Sequence, residues 1–211
     1  MKITKTILLA AMVLAGISAS AQDRFELFGE YSYLHFSPTL TGLQSRGFNG
    51  GGGGVQLNFL KILAIKADLM GYPSTTFTVN YPTAVHLPSG GTIPAGTYTT
   101  QGNMFTFLFG PVIRIPIPKV KPFAEALLGA SQSDVYTNLS NAINHAGGTV
   151  AVATQHPFTM AIGGGLDVEA GKHVAIRVGE FDYVLSRYSN PLTSTNNQNN
   201  YRYCGGLILK F

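Results

Sequence analysis

Eight segments of the chain alternate between apolar and small or polar residues at every second position. These segments cover residues 24–37, 48–59, 62–72, 103–115, 122–131, 158–169, 173–186 and 199–211. Alternation with a period of two is the pattern of β-strands whose two faces lie in different environments. The sequence therefore predicts an all-β protein in which one face of each strand is apolar.

The connections between these segments alternate in length. Four long connections, at residues 38–46, 73–101, 133–157 and 187–198, alternate with three short turns. A barrel with short turns at one end and long loops at the other has this order. We therefore expect residues 22–211 to form one domain, an eight-stranded antiparallel up-and-down transmembrane β-barrel. The β-prone residues 76–81 and 92–100 indicate that two strands extend beyond the membrane.

The first 21 residues have the pattern of a secretory signal peptide. Lys2 and Lys5 precede an apolar run at residues 7–17, and an A-S-A cleavage site follows at 19–21. Only 11% of the residues are charged, whereas soluble domains have about 25%. A surface with so few charges indicates contact with lipid. We expect an exported protein of the bacterial outer membrane.

Composition and motifs exclude several other classes of function. Without Lys2 and Lys5 the chain has 12 basic and 10 acidic residues, which is too balanced for a nucleic-acid-binding surface. The glycine run at 50–54 lacks the Lys-Ser/Thr pair and the helix of a phosphate-binding loop. The five His are scattered, and the single Cys204 has no partner for an internal disulfide. We expect no nucleic-acid partner, no cofactor and no metal site.

The strand alternation places eleven charged side chains inside the predicted barrel. They are Glu30, Lys66, Asp68, Arg114, Glu125, Asp167, Glu169, Arg177, Glu180, Asp182 and Arg202. The alternation changes parity within 173–186, and a one-residue bulge near Gly179 would keep Arg177, Glu180 and Asp182 inside. This charge network is either a structural plug or a path for protons or ions. We favour the plug because the interior of an eight-stranded barrel is just wide enough for side chains.

The last segment resembles the assembly signal of bacterial outer-membrane barrels. Its sequence at 199–211 is N-N-Y-R-Y-C-G-G-L-I-L-K-F, which alternates up to a terminal aromatic residue. The residues that carry this resemblance are Tyr203, Gly206, Leu209 and Phe211. We expect them to act as a membrane-insertion signal.

Three further segments resemble the outer-membrane β-barrel domain family, and the small eight-stranded OmpA-like barrels in particular. They are E-L-F-G-E-Y-S-Y-L at 26–34, F-T-F-L-F-G-P at 105–111 and A-I-G-G-G-L-D-V-E-A-G-K-H-V-A-I-R-V-G-E-F-D-Y-V-L-S-R-Y at 161–188. The resemblance implies the barrel fold and an outer-membrane location. It also implies two partners, outer-membrane lipid and the barrel-assembly machinery. Because no peptidoglycan-binding domain follows Phe211, direct attachment to the cell wall is not expected.

The leading functional hypothesis is a structural or interaction protein that presents its four long loops at the cell surface. We expect an extracellular ligand or surface as the partner of these loops, no catalysis, and a monomer. The alternative is a small porin-like pore. A less favoured alternative is an outer-membrane lipid hydrolase, because R-Y-S-N at 187–190 has an Arg where the base of such an enzyme would be His. No catalytic residue is predicted.

Overall fold

The computed structural model of the protein describes residues 24–39, 43–87, 91–150, 152, 156–188 and 196–211. The predicted signal peptide at residues 1–21 lies outside these residues. Within the described ranges, no helix has both the length and the hydropathy that crossing a membrane requires.

The described residues form ten strands and one helix. The elements are β1 (Phe25–Phe36), β2 (Arg46–Asn58), β3 (Leu63–Tyr81), β4 (Val85–His86), β5 (Thr92–Ile93), β6 (Gly96–Arg114), β7 (Val120–Ser133), α1 (Val135–His145), β8 (Phe158–Glu169), β9 (Val174–Arg187) and β10 (Asn197–Lys210).

Eight of the strands close into one barrel in the order β1-β10-β9-β8-β7-β6-β3-β2, and β4 and β5 form a separate hairpin. Every neighbouring pair in the barrel is antiparallel. The predicted eight-stranded up-and-down barrel is confirmed.

The first and last strands close the barrel. In the register of this pair Leu27 lies opposite Leu209, and Tyr33 lies opposite Tyr203. Closure pairs the backbone groups of both terminal strands, so the barrel has no free edge. The three turns 59–62, 115–119 and 170–173 and both terminal strand ends lie at one end, here called the short-turn end. The long connections lie at the other.

The barrel has an apolar exterior and a charged interior. Along β6, Phe105, Phe107 and Phe109 are exposed, and the residues between them are buried. The same arrangement recurs around the barrel, and its exposed large side chains include Tyr31, Leu69, Ile113, Leu128, Ile162, Ile176, Phe181, Leu207 and Leu209. Soluble monomers rarely expose apolar surface of this extent. The distribution is that of a barrel surrounded by hydrocarbon.

Strand β9 contains a bulge where the sequence predicts one. Leu166 of β8 pairs with Gly179, and Asp167 pairs with Arg177, so Val178 has no partner in this register. The extra residue reverses the alternation. As a result Arg177 and Glu180 both face the interior although three positions separate them.

The long connections are more structured than predicted. Strand β3 runs to Tyr81 and β6 begins at Gly96, so the predicted loop at 73–101 shortens to 82–95 and the predicted lengthening of these two strands is present. The predicted loop at 133–157 contains α1, which the sequence analysis missed. Buried Val135, Leu139 and Ile143 lie four residues apart and form the inner face of this helix.

Candidate functional site: the filled interior and its cap

Arg177 is the centre of the charge network. Its guanidinium donates from Nε to Asp167 Oδ1 over 2.8 Å and from Nη1 to Glu30 Oε1 over 2.8 Å. The same Nη1 lies 2.7 Å from Glu180 Oε2. The guanidinium carbon also lies 4.4 Å from the centre of the Phe123 ring. One base therefore orients three carboxyl groups from three strands.

Glu180 joins two further buried bases, Lys66 and Arg202, to Arg177. The Lys66 ammonium lies 2.8 Å from Glu180 Oε2 and 3.1 Å from Glu125 Oε2. Arg202 donates to Glu180 Oε1 over 3.3 Å and to Asp68 Oδ2 over 2.6 Å. Because Glu180 contacts all three bases, the network is continuous through it.

A second group of ion pairs lies nearer the short turns. Arg114 binds Glu26 through two parallel hydrogen bonds of 2.9 Å. Arg114 is also 3.5 Å from Asp167, which links this pair to the central network. Glu169 contacts the ammonium groups of Lys121 and Lys210 at the end of the barrel.

Of the eleven predicted interior charges, ten are buried and Glu169 is half-buried at the short-turn end. The structure brings all eleven into hydrogen-bonded or ion-paired contact with another charged group. The sequence analysis missed Glu26, Lys121 and Lys210, which take part in the same pairs. The strand alternation already places two of them on the inner face, because Glu26 lies an even number of residues from Glu30 and Lys210 lies an even number from Arg202.

Two groups of interior side chains, one of which includes Cys204, have the spacing of metal ligands, but bases already occupy their neighbourhood. Glu125, Glu180 and Asp182 offer oxygens within 4.8 Å of one another. Lys66 bridges the first two, and the Arg202 guanidinium lies 2.6 Å from Asp182 and 3.3 Å from Glu180. The ammonium and guanidinium supply the positive charge that a cation would bring. This group therefore acts chemically as an ion-pair cluster.

Glycines on the inner faces make room for the network. A Cβ atom at Gly163 would lie 2.1 Å from Asp182 Oδ1 and 2.2 Å from the carbonyl oxygen of Phe181. At Gly165 a Cβ would lie 2.8 Å from the Phe123 ring, against which Arg177 packs. These close approaches account for glycines within strands of this barrel.

An apolar plug fills the interior between the charge network and the long connections. The rings of Phe36, Phe48 and Phe77 pack mutually with centroid separations of 5.5 to 5.7 Å. Each of these three side chains is fully buried, and Leu34, Met70, Leu108, Leu127 and Val184 belong to the same cluster. Offset or edge-on packing at these distances is favourable between aromatic rings. The sequence analysis did not predict this plug.

Helix α1 covers the plug. Tyr136 packs edge-on against Tyr188 at 5.3 Å, and its hydroxyl donates to Gln198 Oε1 over 2.8 Å. Burial raises the pKa of Tyr136 above its ordinary value and raises the pKa of Tyr188 to about 12. Both hydroxyls are therefore neutral at physiological pH.

The segment after α1 ties the helix to the small hairpin. Asn144 donates to the carbonyl oxygen of Val150 over 2.6 Å and accepts from its N–H over 2.7 Å. Thr149 exchanges hydrogen bonds with Thr92 of β5. The described parts of the two longest connections thus form one folded cap with internal hydrogen bonds.

The predicted insertion-signal residues occupy two faces of β10 and its end. Tyr203, Leu209 and Phe211 are exposed on the outer face, whereas Gly206 lies opposite Glu30 on the inner side. The Phe211 ring is 6.1 Å from that of Phe25 at the closing seam. Their role in insertion stays a prediction.

The fold and its filled interior define a class, the small closed up-and-down barrels with an apolar exterior. Known structures of outer-membrane proteins share this architecture. One is Neisserial surface protein A, with 13% identity, a TM-score of 0.58, and coverage of 89% of this chain and 97% of that one. Another is OprG from Pseudomonas aeruginosa, with 12% identity, a TM-score of 0.56, and coverage of 90% and 97%.

The predicted resemblance to small outer-membrane barrels is confirmed at the level of the fold. No protein-family model matches the sequence, and no curated protein matches it.

Proposed function

We propose that this protein is a non-catalytic structural or interaction protein of the bacterial outer membrane, exported through the signal peptide at residues 1–21. The barrel anchors the chain, and the long-connection end is presented at the cell surface. The observation that carries the proposal is the combination of an apolar exterior with an interior filled by ion pairs and aromatic rings.

The outer surface supports placement in a bilayer. Every backbone group in hydrocarbon needs an internal partner, and a closed barrel provides one. The barrel strands are 12 to 19 residues long, and a tilted membrane strand needs about 9 to 11. Exposed Tyr33, Tyr201 and Phe158 lie in the half of the barrel nearer the long connections. Aromatic residues at such a level are typical of a membrane interface.

The packed interior supports an anchor that does not conduct. Phe36, Phe48 and Phe77, from the neighbouring strands β1, β2 and β3, pack together inside the lumen. Lys66 and its carboxyl partners fill the level beneath them. A pore would need a continuous water path through both layers. The hydrolase hypothesis depends on Ser189, which lies outside the described residues.

The cap supports a binding surface that is formed before a partner arrives. Hydrogen bonds between α1, residues 149–150 and the β4–β5 hairpin restrain the chain. A restrained surface loses less conformational entropy on binding. Its exposed side chains are mainly polar and uncharged, such as Asn141 and Thr149. This composition suits an extracellular ligand or surface recognised by hydrogen bonds.

Cysteine labelling in intact cells tests the placement and the orientation together. The native Cys204 is buried, so an impermeant maleimide reports only an introduced thiol. Asn141→Cys lies on α1, and Lys172→Cys is the matched control in a short turn; both positions are exposed. We expect Asn141→Cys to react in intact cells and Lys172→Cys to react only after the outer membrane is permeabilised.

Three results would contradict the proposal. Recovery of the protein as a soluble periplasmic product would exclude a membrane anchor. Labelling of Lys172→Cys alone in intact cells would reverse the orientation. A steady conductance of the purified, heat-modifiable barrel in a planar bilayer would replace the anchor with a pore.

A further inference from the structure

The short-turn end of the barrel contains a basic cavity. Its volume is about 440 Å³, and it opens between the turn at 59–62, the turn at 115–119 and the start of β1. Its charged lining residues are Arg24, Lys61, Arg114, Lys121 and one acid, Glu26. Arg114 already binds Glu26 through both terminal nitrogens. Lys121 contacts Glu169, so the positive charges of this lining without an ion pair among the described residues are Arg24 and Lys61.

Two basic side chains on the rim of this cavity have no ion pair among the described residues. Arg24 and Lys61 are exposed on the rim, and none of the ion pairs within the described ranges includes them. A cleft lined by charges of one sign attracts ions of the opposite sign. The arrangement fits an anion.

The two turns beside the cavity are apolar at their tips. Phe59, Leu60 and Ile62 of one turn are exposed, as are Ile115 and Ile117 of the other. The turns are neighbours, because the N–H at position 114 donates to the carbonyl oxygen of Ile62 over 2.9 Å. Exposed apolar tips next to lysines are typical of chain that lies at a membrane interface, with apolar groups in lipid and ammonium groups among the headgroups.

The basic residues outside the interior are concentrated at this end. Four lie here, and the described long-connection end has two, Arg46 and Arg187. The four are Arg24, Lys61, Lys119 and Lys172. Basic residues at a membrane surface attract anionic lipids.

We propose that the cavity binds the phosphate group of an anionic phospholipid from the leaflet next to the short turns. Arg24 and Lys61 face the phosphate, and the acyl chains lie along Phe59 and Leu60. The inference rests on the membrane placement proposed above. A free phosphate ester has the same anionic group, but it would not use the apolar tips.

A tryptophan reporter tests this site, because the chain contains no Trp. Phe59→Trp places a single fluorophore at the cavity rim, and Phe158→Trp places one on the lipid face near the other end. Each barrel is folded in vesicles, and quenching by brominated phosphatidylglycerol is compared with quenching by brominated phosphatidylcholine. Each basic residue near a membrane surface favours the anionic lipid by about fivefold. For Arg24 and Lys61 together we therefore expect a preference of roughly 25-fold at position 59, and none at position 158.

Matched double variants assign the preference to the cavity. Arg24→Ala with Lys61→Ala, in the Phe59→Trp background, is expected to lower the preference to about twofold or less. Arg46→Ala with Arg187→Ala removes the same charge from the opposite end and is expected to leave the preference unchanged. All four positions are exposed, and heat-modifiable migration checks that each variant folds.

The possible results separate this inference from the membrane placement. Equal quenching by both lipids at position 59, or the same loss in both double variants, overturns the lipid site and leaves the placement intact. Displacement of the brominated lipid by glycerol 1-phosphate overturns the assignment to a lipid. Absence of quenching by either lipid overturns both proposals.

Discussion

Replacement of Arg177 by Met tests whether the charge network holds the barrel together. Arg177 supplies the hydrogen bonds to Glu30 Oε1 and Asp167 Oδ1 in the interior. After this replacement, Asp167 still has Arg114 as an ion-pair partner, and Glu180 still has Lys66 and Arg202. Glu30 is left without its ion pair. Removing one partner of a buried ion pair costs about 3–5 kcal/mol, and we expect a loss of this size in the free energy of unfolding.

The assay is urea unfolding of the barrel in vesicles, followed by the shift between folded and unfolded bands on a gel. With a slope of about 2 kcal/mol per molar urea, the midpoint should fall by roughly 2 M. Arg187→Met is the matched control, because it removes the same side chain from an exposed position of the same strand. Its effect should stay within about 0.5 kcal/mol.

A second substitution identifies the cause of the loss. Glu30→Gln in the Arg177→Met background removes the carboxylate that was left unpaired, and we expect it to restore at least about 1 kcal/mol. A midpoint for Arg177→Met within experimental error of the natural chain would refute the assignment of stability to this network. A double variant less stable than Arg177→Met would refute the role of Glu30.

Three further predictions concern the packing, the plug and the cap. Gly163→Ala should destabilise the barrel by more than about 2 kcal/mol in the same urea assay, because the new Cβ would lie 2.2 Å from the Phe181 carbonyl oxygen. Phe77→Ala should cost about 3–5 kcal/mol, since it opens a cavity in the plug. Burial raises the pKa of Tyr136 and Tyr188, so their contribution to stability is complete below about pH 10 and decreases as the pH rises further. A variant with Phe at both tyrosine positions should lose less stability between about pH 10 and pH 12.

Each of these predictions has a control within the chain. Gly29→Ala adds a Cβ that meets no atom within 4 Å, so an equal loss for Gly29→Ala and Gly163→Ala would contradict the steric explanation. Phe158→Ala removes a lipid-facing ring, and a cost equal to that of Phe77→Ala would contradict a plug. Identical pH profiles of stability for the natural chain and the double Phe variant would show that ionisation of these two tyrosines does not cause the loss of stability at high pH.

The strands could be predicted from the sequence because the side chains of this barrel alternate between lipid and a polar lumen. The same alternation identified the interior charges and the β9 bulge, where Val174 and Phe181 have opposite parity. Glu26 and Lys210 have the required parity, but the predicted set of interior charges does not include them; both lie close to the ends of their strands.

The plug and the cap were missed for a different reason. Leu34 and Leu108 point into the barrel, as the interior charges do. Because the outer face is also apolar, hydropathy alone does not distinguish such inward apolar residues from lipid-facing ones. In α1, Leu139 and Ile143 are separated by Ser, Asn and Ala, and residues such as Asn and Ser favour turns in isolation. Packing against the plug gives this segment its helical structure, and that contact is not visible in local sequence.

The ion pair between Lys66 and Glu180 joins β3 and β9, which three strands separate in either direction around the ring. Such a diametric contact exists only when the ring is complete, because a sheet with one hairpin missing would hold the two groups apart. The Lys66–Glu180 ion pair therefore requires a closed barrel, but it does not depend on which pair of neighbouring strands closes the barrel last. A circularly permuted chain that begins in the turn at 170–173 would therefore form the same contact, and its opening would be all-or-none rather than an unzipping from β1 and β10.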